Sequence, residues 1–277
     1  MSTQDDISRI ATENYASASP WPNNDVWHNH TFISEKKTVE AWLSKVATPN
    51  TIILNAGSGG MDYETKGTII HLDIIESYIK TYKHHIVGSV EHIDLPCQSI
   101  DGIICVGSVL NYADAQRAIA EFSRILKPNG FFIIEFERSN SAEFLLTKNY
   151  GKMIFSKEYN YNNQSHLLWL YSEKHIRNIL QTYYLKVCKS KHIHTLSSLI
   201  YRLGISESKA APLSRLDYIF EFMSYPLAHN VMLFGTKELV TKRNNRHNSC
   251  YNCKKRTKHG RNIIELWNYT KQKSYYR

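Results

Sequence analysis

Between about residues 50 and 137 the sequence alternates short apolar runs with stretches of helical spacing. That alternation restricts the fold more than any other feature. Thr51-Ile52-Ile53-Leu54 runs into a glycine cluster, Gly57, Gly59 and Gly60, and reads as a strand entering a tight turn. A second strand is expected at Thr68-Ile69-Ile70-His71-Leu72-Asp73, followed by helical spacing over 74–80. Residues 85–88 give a weaker third strand and 101–106 a fourth, then a helix over 114–126. Lys127-Pro128-Asn129-Gly130 stops that helix with a turn, and 131–137 forms a fifth strand. Strands alternating with helices imply βαβ units and a parallel sheet covered on both faces.

Outside this stretch, residues 5–15 and 34–46 have helical spacing, and the segment between them is rich in Pro, Asn and Trp. Downstream, 172–182 reads as a helix, 185–191 as a strand, 195–225 as helical material and 230–236 as a last strand. The expected architecture is a doubly wound α/β fold with a seven-stranded, mostly parallel sheet. It carries an N-terminal helical lid (1–48), a body (49–238) with a helical insertion at about 195–228, and a basic, flexible tail (239–277).

Charge separates the tail from the body. The chain has 34 Lys+Arg against 25 Asp+Glu, a formal net charge of +9. Residues 237–277 hold 12 of the basic and 2 of the acidic residues, leaving a body of 22 and 23. Nucleic-acid binding would therefore rest on the tail. No run approaches the roughly 20 apolar residues of a membrane helix, and Asp5 and Asp6 at the start are unlike a signal peptide. Five cysteines in 277 residues are no disulfide framework. A soluble, cytoplasmic protein is expected.

In an open parallel sheet, ligands sit at the carboxyl ends of the strands where strand order reverses. Glycines after the first strand let a ligand approach the backbone, and a following helix N-terminus favours a negative group. An acidic residue ending the second strand, here Asp73, can accept both hydroxyls of a ribose. This describes a nucleoside cofactor without naming it. A dinucleotide G-x-G-x-x-G pattern starting at Gly57 fails because its sixth place is Asp62, and no Gly-Lys-Ser/Thr ending marks a P-loop.

The stretch resembles the first motif of class I S-adenosylmethionine-dependent methyltransferases of the small-molecule, type 11-like kind, E/D-x-G-x-G-x-G. It stands here as Asn55-Ala56-Gly57-Ser58-Gly59-Gly60-Met61. The family's further motifs follow in order: Asp73, then Asp94-Leu95-Pro96, then 99–104 as the fourth-strand entry. Val109-Leu110-Asn111-Tyr112 comes next, and Arg124-Ile125-Leu126-Lys127-Pro128-Asn129-Gly130 looks like the turn before strand 5. The resemblance implies S-adenosylmethionine as cofactor. It would lie against Asn55, Ala56, Gly57, Ser58 and Gly59, with Asp73 and Ile74 at the ribose. Asp94 and Leu95 would meet the adenine, and Gly107 and Ser108 the methionine moiety. Asn55 replaces the family's acidic residue, and Met61 its third glycine, at a place where the helix is expected to have begun.

Methyl transfer from a sulfonium gains much from placing the acceptor against the methyl, and a hydroxyl acceptor gains from a general base. His28, His30, Tyr112 and His229 are the candidates by placement, and Trp21 and Trp27 either wall an acceptor pocket or anchor the lid. Leu199, Leu203, Phe220 and Phe222 of the insertion are expected to roof that pocket. The Asn/Asp-Pro-Pro-Tyr/Phe motif of amino-group enzymes acting on adenine or glutamine is absent after strand 4, where Gly107-Ser108-Val109-Leu110 stands. Pro96-Cys97 precedes that strand, so it does not supply a cytosine-type nucleophile. His247, Cys250, Cys253 and His259 have short, unfamiliar spacing for zinc, and no metal is expected. The expected activity is methylation of O or N on a small-molecule acceptor. The alternatives are an RNA methyltransferase using the tail to meet RNA or another anionic surface, and a non-catalytic cofactor- or partner-binding protein.

Overall fold

A computed structural model of the chain describes residues 12–13, 26–161, 164–220 and 225–239. The tail, with its possible zinc ligands, lies outside the described residues, as do Trp21 and the side chains of Phe220 and Phe222.

Five parallel strands carry the expected alternation: β1 (Ile52–Ala56), β2 (Thr68–Asp73), β3 (His85–Val87), β4 (Ile100–Cys105) and β5 (Leu126–Glu137). Two more complete the sheet, β8 (Leu185–Ile193) and β9 (Asn230–Lys237), in the order β3-β2-β1-β4-β5-β9-β8. Only β9 runs antiparallel to its neighbours. The central strands are apolar on both sides because both faces are covered. Strand order reverses between β1 and β4, where Ile53 pairs with Ile69 on one side and Gly102 on the other.

One face buries α3 (Ala115–Ile125) and α4 (Glu173–Thr182) over Leu54, Leu72, Ile103 and Phe132. Asp114 caps α3 by accepting the N–H groups of Gln116 and Arg117. The other face is covered by α1 (Val26–Val46), which packs Val39 and Leu43 against Ile53, Ile104 and Ile133. This helix begins eight residues before the expected start at Ser34, so it takes in His28 and His30.

Two features depart from expectation. No helix follows the glycine turn: β1 and β2 are joined by residues 57–67, after which only the short α2 (Glu76–Ile79) precedes β3. Eleven residues are too few for the helical crossover a parallel pair usually has, so Met61 and Tyr63 cover the sheet with their side chains. Met61 therefore sits in a coil, not in a helix that has begun. The second departure is a hairpin, β6 (Ile154–Tyr161) with β7 (Gln164–Tyr171), inserted between β5 and α4. Its residues mix aromatic, amide and charged types, so no clean alternation announces it.

The insertion before β9 is helical, with α5 (Thr195–Arg202), α6 (Glu207–Ala210) and a 3-10 helix (Ala211–Phe220). Arg138, fully buried just past β5, fastens the chain that follows. Its guanidinium donates to Glu173 Oε2 at 2.8 Å, to the carbonyls of Tyr225 and Asn140, and twice to that of Ala228. The segment carrying His229 is thus held at the carboxyl end of β5.

Candidate active site

At the carboxyl ends of β1, β2, β4 and β5 lies a cavity of about 250 Å³. Its floor is the glycine loop. Gly57 has φ of +70° and Gly59 +53°, left-handed conformations that glycine adopts without strain. A Cβ on Gly57 would lie 2.4 Å from Val109 Cγ2, so the loop and the chain after β4 touch at this point.

With no helix behind it, the loop is braced by side chains. The Asn55 amide donates to the Met61 carbonyl at 2.7 Å and to Ser58 Oγ at 3.3 Å. Ser58 Oγ meets His71 Nδ1 at 2.8 Å, and the His71 ring stacks on Tyr82, whose hydroxyl donates to the Gly60 carbonyl. Burial pushes the His71 imidazole down to about 4. Asn55, Ala56 and Ser58 are buried beneath the loop and do not line the cavity.

Asp73 does line it. Its carboxylate accepts the Gly59 N–H at 2.7 Å and the Ile75 N–H at 2.9 Å. Burial raises its pKa against the pull of these bonds. Ile74, Gly107 and Ser108 also line the cavity.

Asp94 and Leu95, expected at the adenine, do not line the cavity. Asp94 is exposed, and Leu95 is a core residue. The Arg124 guanidinium donates to the carbonyls of Ile93 and Leu95, pinning that segment away from the cavity. The same connection lines the cavity a few residues earlier, with Gly88, Ser89, Val90 and Glu91.

The far end of the cavity is lined by His28, Thr31, Tyr112 and Glu137. His28 and Thr31, three apart on α1, share a helix face; His30 lies off that face and does not line the cavity. Tyr112 Oη is 3.4 Å from His166 Nδ1 of β7. His229 stands behind the wall, its Nε2 3.4 Å from Glu137 Oε2. Burial opposes ionisation of both, but their mutual interaction prevails, holding Glu137 below the ordinary carboxylate range and His229 above the ordinary imidazole range.

Trp27 anchors α1 and does not wall the cavity: its ring stacks on buried His194 at 4.2 Å, and His194 Nε2 meets Thr31 Oγ1 at 2.7 Å. No described residue of the insertion lines the cavity, and Leu203 is 75% exposed, so Leu199 and Leu203 do not form the expected roof. Sequence reasoning missed Glu137. Its signal was an acidic residue at the carboxyl end of an otherwise apolar strand, Phe131-Phe132-Ile133-Ile134-Glu135-Phe136-Glu137.

A side-chain-free glycine floor, a carboxylate at the end of β2 and a second wall of backbone after β4 fit a nucleoside cofactor bearing an amino-acid chain. Residues 55–134 match the family model described as a methyltransferase domain. With the sheet order and this cavity, that domain has the fold of class I S-adenosylmethionine-dependent methyltransferases, and the cavity's residues fit S-adenosylmethionine as the cofactor. No curated protein matches the sequence.

Among solved structures, the chain is similar in fold to the 1,6-didemethyltoxoflavin-N1-methyltransferase of Burkholderia thailandensis, solved with 1,6-didemethyltoxoflavin and S-adenosylhomocysteine. The two are 15% identical, the TM-score is 0.55, and the match covers 86% of this chain and 92% of that one. A putative S-adenosylmethionine-dependent methyltransferase of Listeria monocytogenes matches at 11% identity and TM-score 0.53, over 75% of this chain and 100% of that one. The geranyl diphosphate C-methyltransferase of Streptomyces coelicolor A3(2) matches at 13% and 0.52, over 84% and 98%. At these identities the likeness is one of fold. Among the described residues, no helix is long and apolar enough to cross a membrane.

Proposed function

We propose that this methyltransferase acts on O or N of a small-molecule acceptor held at the end of the cavity lined by His28, Thr31, Tyr112 and Glu137. The observation that carries this reading is the Glu137–His229 pair, a proton-accepting group on the cavity wall with a partner 3.4 Å behind it. When bound, the cofactor supplies an electrophilic methyl on a sulfonium. Asp73 accepts from the ribose hydroxyls, Gly57 and Gly59 leave room for the nucleoside, and Ser89 and Val90 flank the adenine. Gly107 and Ser108 border the amino-acid chain. His229 keeps Glu137 ionised so that it can take the acceptor's proton, while Tyr112 and His28 orient the acceptor. Residues 1–48 serve as the lid, contributing His28 and Thr31 to the cavity, and His30 has no part at it.

Thermal melting with and without S-adenosylhomocysteine tests the cofactor assignment. Ligand at about 100 times its dissociation constant adds roughly 2.7 kcal/mol, an upward shift of about 5–10 °C for a chain of this size. The shift is expected to vanish in Asp73→Ala; a shift that survives unchanged removes Asp73 from the site. Transfer of labelled methyl to a panel of amines, phenols and N-heterocycles, against bulk RNA, tests the acceptor class. Labelling of RNA alone that is lost on deleting residues 243–277 would replace this reading with the tail-dependent one.

A further inference from the structure

Glu135 is fully buried and does not line the cavity, yet it holds part of the cavity wall in shape. Its Oε2 accepts the N–H of Gly107 at 3.0 Å and that of Ser108 at 2.7 Å. Its Oε1 accepts from the Asn230 amide at 2.6 Å. Gly107 and Ser108 both have positive φ, +83° and +58°, and their two N–H groups converge on this one carboxyl oxygen. Ser108 pays for this conformation in strain, since it has a side chain. The acceptor is internal: the Glu135 carboxyl group sits beneath the wall and fixes its curvature. Ser108 Oγ donates in addition to Glu137 Oε1, and Val109, the next residue, rests on Gly57 of the floor.

We infer that Glu135, seated by Asn230, is the positioning residue for the amino-acid end of the cofactor, because it shapes the Gly107–Ser108 wall against which that end lies. The inference rests on the cofactor placement proposed above. It is specific to one half of the ligand, since the Asp73 and Ser89–Val90 half of the cavity makes no bond to Glu135.

Two ligands separate the halves. S-adenosylhomocysteine carries the amino-acid chain, and 5′-methylthioadenosine has the same nucleoside without it. Glu135→Leu is expected to weaken S-adenosylhomocysteine at least tenfold while changing the affinity for 5′-methylthioadenosine by less than threefold. Glu135→Gln is expected to restore S-adenosylhomocysteine binding to within threefold. Its amide oxygen still accepts both N–H groups, and its NH2 can donate to Asn230 Oδ1, a buried atom with no hydrogen-bond partner, once that amide turns over. Equal weakening of both ligands, as a general loss of structure would give, overturns the inference, and so does no weakening of either. If Glu135→Leu does not fold, Asn230→Ala is the second test. A three- to fivefold loss confined to S-adenosylhomocysteine is expected there, and equal effects on the two ligands overturn the proposal. Failure of the wild-type protein to bind S-adenosylhomocysteine would instead refute the cofactor placement itself, and with it this inference.

Discussion

His71 ties the glycine loop to acid stability. Its imidazole is buried between Ser58 and the Tyr82 ring, and burial pushes its pKa from 6.5 down to about 4, against an upward pull from Asp62. The folded protein therefore keeps this ring neutral, while the unfolded chain takes up a proton near 6.5. Between these values the unfolded state binds more protons, so stability rises with pH. The contribution is complete above 6.5 and is lost as pH falls through 6.5 toward 4. A midpoint ratio of this kind gives a loss of about 2 kcal/mol between pH 7.5 and pH 5, out of about 3 kcal/mol at full protonation. Other histidines titrate in the same window, so the quantity to measure is a difference of differences. Wild type and His71→Asn, which keeps an acceptor near Ser58 but does not titrate, would be unfolded in urea at both pH values. The stability gap between them is expected to shift by about 2 kcal/mol in the variant's favour on going from pH 7.5 to 5. A gap that stays constant within about 0.5 kcal/mol would show that His71 is not held neutral by burial, and would refute the reasoning.

Other expectations follow from the same geometry. Arg138→Met leaves Glu173 paired with Arg177 and His192 but takes the donor from the carbonyls of Ala228, Tyr225 and Asn140, and should cost about 1–3 kcal/mol in denaturant unfolding; a loss under about 0.5 kcal/mol would mean that the five bonds are dispensable. Gly57→Ala forces a left-handed alanine against Val109 and should cost about 1–3 kcal/mol while weakening S-adenosylhomocysteine binding, and calorimetry showing wild-type affinity would count against the loop as cavity floor. Glu137→Gln removes the charge that raises His229, so the His229 pKa followed by NMR should fall. In wild type the pair's contribution is present below the ordinary histidine pKa and fades as pH rises through the raised one. A His229 pKa unchanged by the substitution would dissolve the pair.

The sheet and the glycine floor of the cavity were legible because each rests on a local signal. The apolar runs at Ile52–Leu54 and Ile103–Cys105, the left-handed glycines and an aspartate at a strand end are dictated by residues close in sequence. What was not legible depended on distance or phase. The Asp94-Leu95-Pro96 letters gave no sign that the cavity is lined a few residues upstream of them, because long-range bonds from Arg124 hold the carbonyls of Ile93 and Leu95. His28 and His30 looked equivalent until the extent of α1 fixed the helix phase. The helix after Gly60 was expected from a general rule for phosphate-binding turns, and the count of residues to β2 overrules it. Glu137 and His229 meet only because Arg138 fastens the chain before β9, a contact no local pattern encodes.

The helix-free crossover also sets the order in which contacts are cheap to make. Through it Ile53 meets Ile69 after 16 residues of chain, whereas Ile53 reaches Gly102 only across 49. By the logarithmic cost of closing a flexible loop, the first contact is favoured over the second by about 1 kcal/mol of chain entropy. The β1–β2 pair and the glycine turn between them are therefore the part of this sheet with the shortest route from a disordered chain, and the floor of the site can be laid down before the wall opposite it is in place.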